Sequence, residues 1–161
     1  MRTTGSGPLR IKALFHLILL FFFLTTASCA IPKIIVLHDP LSPEEHINLG
    51  LTYEKKGETE GAVEQYRKAS KDLPIAYLYL GNIYYVKGEY SAAEGYYRKG
   101  IEKKPDLADA YNNLAWMFYQ SGTNLKEAAA LSQKALELDP SNDTYKDTLK
   151  AVEERIKTRG L

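Results

Sequence analysis

One pattern occurs three times along the chain and constrains its fold more than any other feature. Leu49-Gly50-x-x-Tyr53 aligns with Leu80-Gly81-x-x-Tyr84 and Leu114-Ala115-x-x-Phe118. Downstream of each block stands a glycine, Gly57, Gly88 and Gly122, then a small residue, Ala62, Ala93 and Ala128. Tyr66, Tyr97 and Ser132 follow, then Ala69, Gly100 and Ala135, and a proline closes each unit, Pro74, Pro105 and Pro140. Self-similarity at such a period signals stacked units that share one core rather than a single closed fold.

The spacing has a physical reading. Leu, Gly/Ala and Tyr/Phe at offsets of one and three share a helical face. The small member lets a second helix approach closely, and its large neighbours fill the space beside it. Gly57, Gly88 and Gly122 stand where the first helix must stop and the chain reverse, a task suited to positive φ. Ala62, Ala93 and Ala128 are the matching small contacts on the second helix, and the prolines end that helix. Two irregularities qualify the register. Gly50 to Gly81 spans 31 residues, against 34 from Gly81 to Ala115, so the first joint is short and Pro74 must both end one helix and open the next. The third unit carries one extra residue at Thr123-Asn124, and Ser132 replaces its aromatic.

These residues resemble the tetratricopeptide repeat, a helix–turn–helix unit. The expected fold is all-α: a solenoid of three units, about 43–73, 74–107 and 108–142, with a capping helix and tail at 143–161. Expected helices are 43–56, 59–72, 75–87, 90–103, 107–121, 125–138 and 143–157. Ser42-Pro43-Glu44-Glu45 forms a capping box that starts the first of them. In the last, Tyr145, Leu149, Val152 and Ile156 make a single apolar stripe on an otherwise charged helix, as a solenoid cap requires.

The resemblance also implies a function. In this family the first helix of each pair lines a concave groove that binds peptides or partner proteins. The implied partner-binding residues are Asn48 in the first unit, then Tyr79, Asn82 and Tyr85, then Asn112, Asn113, Trp116 and Tyr119. Aromatics bury area at low entropy cost, and amides bond an extended backbone from both ends. The other reading of the same residues is packing inside the superhelix or bonding between adjacent helices. A subtype of the family holds C-terminal carboxylates with Lys and Arg in the groove. Here the matching positions carry Ile47, Leu51, Tyr79, Asn82, Asp109 and Asn113, so the implied ligand is neutral or mildly basic.

No catalytic pattern emerges. The sequence has no GxSxG, phosphate-binding loop or GxGxxG. His38 and His46 lie near Asp39, Glu44 and Glu45 but without the spacing of a metal site, and no metal or cofactor is expected. The only cysteine excludes an internal disulfide and a cysteine-based zinc site. Asn142-Asp143-Thr144 has the form of a glycosylation sequon only.

The N-terminal region has a different composition. Arg2, Arg10 and Lys12 precede an apolar run from Ala13 to Leu24, and no Asp or Glu occurs before Asp39. A basic head, a short apolar middle and a small-residue end make a secretory signal peptide, expected over residues 1–28. Thr26-Ala27-Ser28-Cys29 resembles a bacterial lipobox, with Thr26 in place of the usual aliphatic residue. The resemblance implies cleavage before Cys29 and its acylation, which would anchor the chain stably. Ala30, rather than Asp, after the cysteine resembles an outer-membrane destination facing the periplasm. Inner-membrane anchoring, a retained N-terminal anchor reaching Ala30 or Ile31, and ordinary cleavage after Ala30 with secretion are the alternatives. Residues 29–42 would then be a tether, kept extended by Pro32 and Pro40.

Without residues 1–28 the chain holds 18 Lys+Arg against 20 Asp+Glu, and this mild acidity gives no electrostatic basis for nucleic-acid binding. The expected function is a non-enzymatic adaptor at the bacterial envelope that binds a protein or peptide. An accessory subunit that positions a peptidase, or a pilus or secretion component, is the related alternative, by family analogy. The lipobox reading predicts that Cys29→Ser abolishes labelling by a radioactive fatty acid. Undiminished labelling would rule it out.

Overall fold

The structure is a computed structural model, and it describes residues 39–160. The signal peptide, Cys29 and most of the tether lie outside the described residues. Seven helices and no strand occur among the described residues: α1 Pro43–Lys55, α2 Thr59–Ala69, α3 Ile75–Val86, α4 Tyr90–Lys103, α5 Ala108–Ser121, α6 Leu125–Leu138 and α7 Asp143–Arg159. None of these is long and apolar enough to cross a membrane.

The first helix starts as its sequence dictates. Glu45 N donates to Ser42 Oγ at 3.2 Å, Ser42 N donates to Glu45 Oε2 at 2.7 Å, and Pro43 takes the first helical position. Just upstream, the Asp39 carboxylate accepts from Leu41 N at 3.3 Å and meets Lys68 Nζ at 3.2 Å. These contacts hold the Asp39 carboxyl below its ordinary range, the Leu41 amide foremost. His46 is buried and shares a 2.7 Å hydrogen bond through Nδ1 with Gln65 Oε1.

Each first helix ends at a glycine in the left-handed region, Gly57 and Gly88 at φ 75° and Gly122 at φ 67°. A side chain there would meet the Cβ penalty of that region. The residue after each glycine donates its N–H back to the first helix, Glu58 to Tyr53 O, Glu89 to Tyr84 O and Thr123 to Phe118 O. The extra residue of the third unit is absorbed by Asn124, which adopts φ 46° before α6. Asn tolerates this region better than most residues.

The short first joint shows a difference from the sequence expectation. The second helix of the first unit stops at Ala69 rather than residue 72, so α2 has 11 residues where α4 and α6 have 14. Three residues are therefore missing from α2 itself. Ser70 to Leu73 form turns that return hydrogen bonds to Tyr66, Lys68 and Ala69. Pro74 sits at the N-cap of α3 rather than inside it, with φ −58°. The last helix runs two residues past the expected end and stops at Gly160, again with positive φ.

Packing within a unit depends on a ring lying against a bare backbone. A Cβ built on Gly50 would stand 2.4 Å from Tyr66 Cε1, and one on Gly81 would stand 2.4 Å from Tyr97 Cε1. Both rings are fully buried, so neither can swing aside. The third unit has Ala115 and Ser132 at these two positions, both fully buried. A methyl is tolerated where the facing side chain is small. Ser132 donates its hydroxyl to Ala128 O at 2.8 Å, so its burial leaves no orphan.

Units join through shared apolar residues. Ile47, Ala62, Tyr66, Ala69, Ala76, Leu80 and Ile83 form one cluster. Leu78, Tyr97, Leu107, Leu114, Met117, Phe118 and Val152 belong to the other, and Ile75 packs against both. Each large side chain buried here contributes roughly 1.5–3 kcal/mol. The first helices α3, α5 and α7 touch in succession, whereas successive second helices make no comparable contact. α3, α5 and α7 therefore line the inner side, whereas α1 makes no comparable contact with α3.

Gly81→Ala should destabilise the protein by about 1–3 kcal/mol through overpacking. In a double-mutant cycle with Tyr97→Ser the two losses should fall short of additivity, because the second change removes the ring that the methyl strikes. Strict additivity in urea unfolding would show that the ring contact is not the cause.

Candidate functional site

The inner surface of α3, α5 and α7 brings several of the expected residues together. Tyr97 donates its hydroxyl to Asn82 Oδ1 at 2.9 Å, and Asn113 Nδ2 donates to the same oxygen at 2.9 Å. Asn112 Nδ2 reaches Asn113 Oδ1 at 3.5 Å, the long limit of a hydrogen bond. Asn82 and Asn113 thus link α3 to α5, and Tyr97 ties α4 to the same point. Burial pushes the Tyr97 phenol pKa up, so it stays a donor at any physiological pH.

The chain of amides ends on an unsatisfied atom. Asn112 is only 6% exposed, and its Oδ1 has no hydrogen-bond partner. Asn112, Asn113 and Trp116 of α5 line a cavity of about 490 Å³ together with Thr144, Asp147, Thr148 and Ala151 of α7. Trp116 is 38% exposed, and its ring is backed by Tyr119 with centroids 5.1 Å apart.

The remaining expected residues sit elsewhere. Tyr79 is half-buried and stacks on Tyr66 at 5.0 Å. Tyr85 is half-buried and leans on Tyr90 at 5.8 Å. Asn48 is exposed on α1. None of these three lines the cavity between α5 and α7.

The contribution of α7 was not legible as a site. Its apolar stripe identified it as a cap, and the cavity-lining residues stand on the flank of that stripe. Three further contacts seat this helix on α5. Tyr145 donates to Asp109 Oδ1 at 2.6 Å, Arg159 Nη1 donates to Gly122 O at 2.8 Å, and Arg155 donates to Tyr119 O. Burial, then the Asp109 carboxylate, pushes the Tyr145 phenol pKa up, which keeps it a donor. The two arginines complete carbonyls at the end of α5, where positive charge is favoured.

A second cleft of about 430 Å³ lies on α2 and the end of α3, with Arg67, Lys68, Lys71 and Lys87 among its walls. Two of its four cations meet carboxylates. Lys68 meets Glu64 and Asp39, Lys87 meets Glu89, and Arg67 donates to the Tyr84 hydroxyl. Lys71 forms no ion pair among the described residues, and the partner of Arg67 is a neutral phenol, so the pairing is partial. No group of three or more His, Cys, Asp or Glu side chains suited to a metal ion occurs among the described residues.

Removing the Tyr97 hydroxyl should cost about 1 kcal/mol, because Asn82 loses a buried donor. Tyr66→Phe is the contrast. Burial pushes the Tyr66 phenol up, and its hydroxyl meets no partner with hydrogen-bond geometry. Its removal should leave stability unchanged or slightly raised, and Asn112→Leu should gain about 1 kcal/mol by deleting an orphaned acceptor. Equal losses for the two tyrosines in urea unfolding would contradict this account.

A family model described as tetratricopeptide repeat matches residues 47–108 and 80–143. The fold is similar to the solved structure of the first TPR of Spaghetti (RPAP3) bound to the HSP90 peptide SRMEEVD. The two share 20% identity at a TM-score of 0.64, over 73% of this chain and 97% of that one. It is also similar to the Sgt2 TPR domain from Aspergillus fumigatus, at 17% identity and a TM-score of 0.66, over 73% and 81% of the two chains. No curated protein matches the chain. The family match spans more than half of the sequence, and the paired helices carry the same pattern: this chain belongs to the tetratricopeptide repeat family.

Proposed function

We propose that the protein is a non-catalytic interaction scaffold that binds a peptide or protein through its concave face. The observation that carries this reading is the inner surface itself. A half-exposed Trp116, a row of amides and an unsatisfied buried acceptor are gathered on α3 and α5. Surfaces of this composition suit peptide recognition, since aromatic anchors supply most binding energy and amides pair with backbone. The peptide-bound relative supports the same mode of use, although its acidic peptide SRMEEVD would find no matching cations here. The positions of the carboxylate-binding subtype carry Ile47, Leu51, Tyr79, Asn82, Asp109 and Asn113.

The scaffold would be held at the bacterial envelope by a lipid on Cys29, facing the periplasm from the outer membrane. The basic and apolar N-terminal composition and the lipobox-like Thr26-Ala27-Ser28-Cys29 support this placement.

The test is capture of cross-linked partners from membranes with the wild-type chain, Trp116→Ala and Ser91→Arg, the last an exposed change on a second helix. Trp116→Ala should reduce recovery of the specific partner by about tenfold or more, the usual cost of losing an aromatic anchor. Ser91→Arg should leave it intact. Recovery unaffected by Trp116→Ala but lost with Ser91→Arg would move the binding surface to the outer helices.

A further inference from the structure

We infer that the cleft walled by α2 and the end of α3 is a second interaction surface, which takes an acidic segment of a partner protein. It shares no residue with those proposed for the concave face and is independent of that reading.

The cleft is polarised along α2. Arg67, Lys68, Lys71 and Lys87 line it, against Glu60 and Glu64. Lys68 is taken by Asp39 at 3.2 Å and Glu64 at 3.4 Å, and Lys87 by Glu89 at 3.2 Å. Glu60 makes no ion pair among the described residues, but it stands in the first turn of α2, about 10 Å from Arg67 along the helix axis. Arg67 and Lys71 occupy the other end and meet no carboxylate among the described residues. Lys71 is exposed in the turn after α2, and its neighbour Asp72 makes no ion pair with it and stands outside the lining.

Phenols hold Arg67 in place. Its Nη2 donates to the Tyr84 hydroxyl at 2.9 Å, and the Tyr96 hydroxyl stands beside it. Neutral partners fix the guanidinium without cancelling its charge. Having accepted from Arg67, the Tyr84 hydroxyl keeps its own hydrogen, which meets no acceptor among the described residues. The Tyr84 ring is steadied in turn by Tyr96, stacked at 5.1 Å. The end of α2 does not use these cations either. Its last carbonyls accept from backbone N–H groups of the turn and from Ser70 Oγ, whereas those of α5 take Arg155 and Arg159.

Two cations and a phenol hydrogen without acceptors thus flank an apolar floor of Val63 and the Tyr84 ring. This combination suits a carboxylate carried beside an apolar side chain. A carboxylate accepts the planar fork of a guanidinium with two oxygens and can take the phenol hydrogen as well. Exposed ion pairs by themselves bind weakly, so the apolar floor supplies affinity and the charges select the partner. An anionic membrane surface is a poorer match. Glu60 and Glu64 would face it, and the chain beyond residue 28 is itself mildly acidic.

The experiment selects a random heptapeptide display library on the immobilised full chain carrying Trp116→Ala, which removes the concave anchor. One selected peptide is then synthesised with a fluorescent label and titrated by anisotropy. Asp or Glu beside an apolar residue should be enriched. Exchanging the acid for its amide should weaken binding by about tenfold. Lys71→Glu, an exposed change, should weaken the acidic peptide by about tenfold and leave the amide peptide unchanged. Tyr84→Phe keeps the ring and should weaken it by about threefold. Glu60→Gln, at the far end of the cleft, should leave it unchanged, as should restoring Trp116. Far-UV circular dichroism confirms that each variant is folded.

Selected peptides without an acidic residue, no binder at all, or an acidic peptide that binds Lys71→Glu as well as the parent chain would overturn the assignment. Far tighter binding with phosphoserine at the acidic position would give the cleft to phosphorylated partners and overturn it too. Self-association abolished by Lys71→Glu, with no acidic peptide selected, would give it to a second copy and overturn it. None of these outcomes bears on the concave face, whose test is Trp116→Ala.

Discussion

The contact on which the first two units depend is a tyrosine ring laid on a helix backbone that has no side chain. Gly50 under Tyr66 and Gly81 under Tyr97 bring the two helices of each pair closer than any other residue would permit. That approach sets where the second helix lies, and hence which side of the first helix remains open. It also explains why the third unit can dispense with the ring. With Ser132 opposite, Ala115 fits, and the methyl and the hydroxymethyl are both fully buried. The two positions change together because they share one space.

Tyr97 connects this packing to the inner surface. Its ring fills the space over Gly81, and its hydroxyl emerges on the concave side to hold Asn82. Asn82 in turn receives Asn113 from the next unit. One side chain thus serves the core with its ring and the groove with its tip. The amides it organises are consequently part structural: Asn82 has its oxygen occupied twice, while Asn112, at the end of the row, keeps a free acceptor. A buried polar atom left unpaired costs stability, at Asn112 Oδ1 as at the Tyr66 hydroxyl.

Much of the fold was legible because its determinants are local. The turn glycines, the capping box at Ser42–Glu45 and the alternating small residues act within one or two helical turns of themselves. The end of α2 was not legible. Residues 70–72 have nothing in their composition that breaks a helix, and the helix ends at Ala69 because α3 begins three residues early, where its Tyr79 stacks on Tyr66. The lining of the candidate site was legible in part. Asn82, Asn112, Asn113 and Trp116 follow from register, but Thr144, Asp147 and Thr148 do not, since a cap was expected to cover apolar surface and nothing more.

The sequence by itself determined the repeat, the helix-pair unit, the reversal points and the polar cap, because periodicity and turn chemistry depend on neighbours along the chain. It also set the mild acidity of the part that follows residue 28. Only the tertiary structure decided which amides are satisfied and which is left open, because a hydrogen bond between α3 and α5 joins residues 31 apart and depends on how the units stack. The cavity beside Trp116 arises for the same reason: its two walls belong to different units and exist as a site only once α7 is seated on α5 by Tyr145, Arg155 and Arg159.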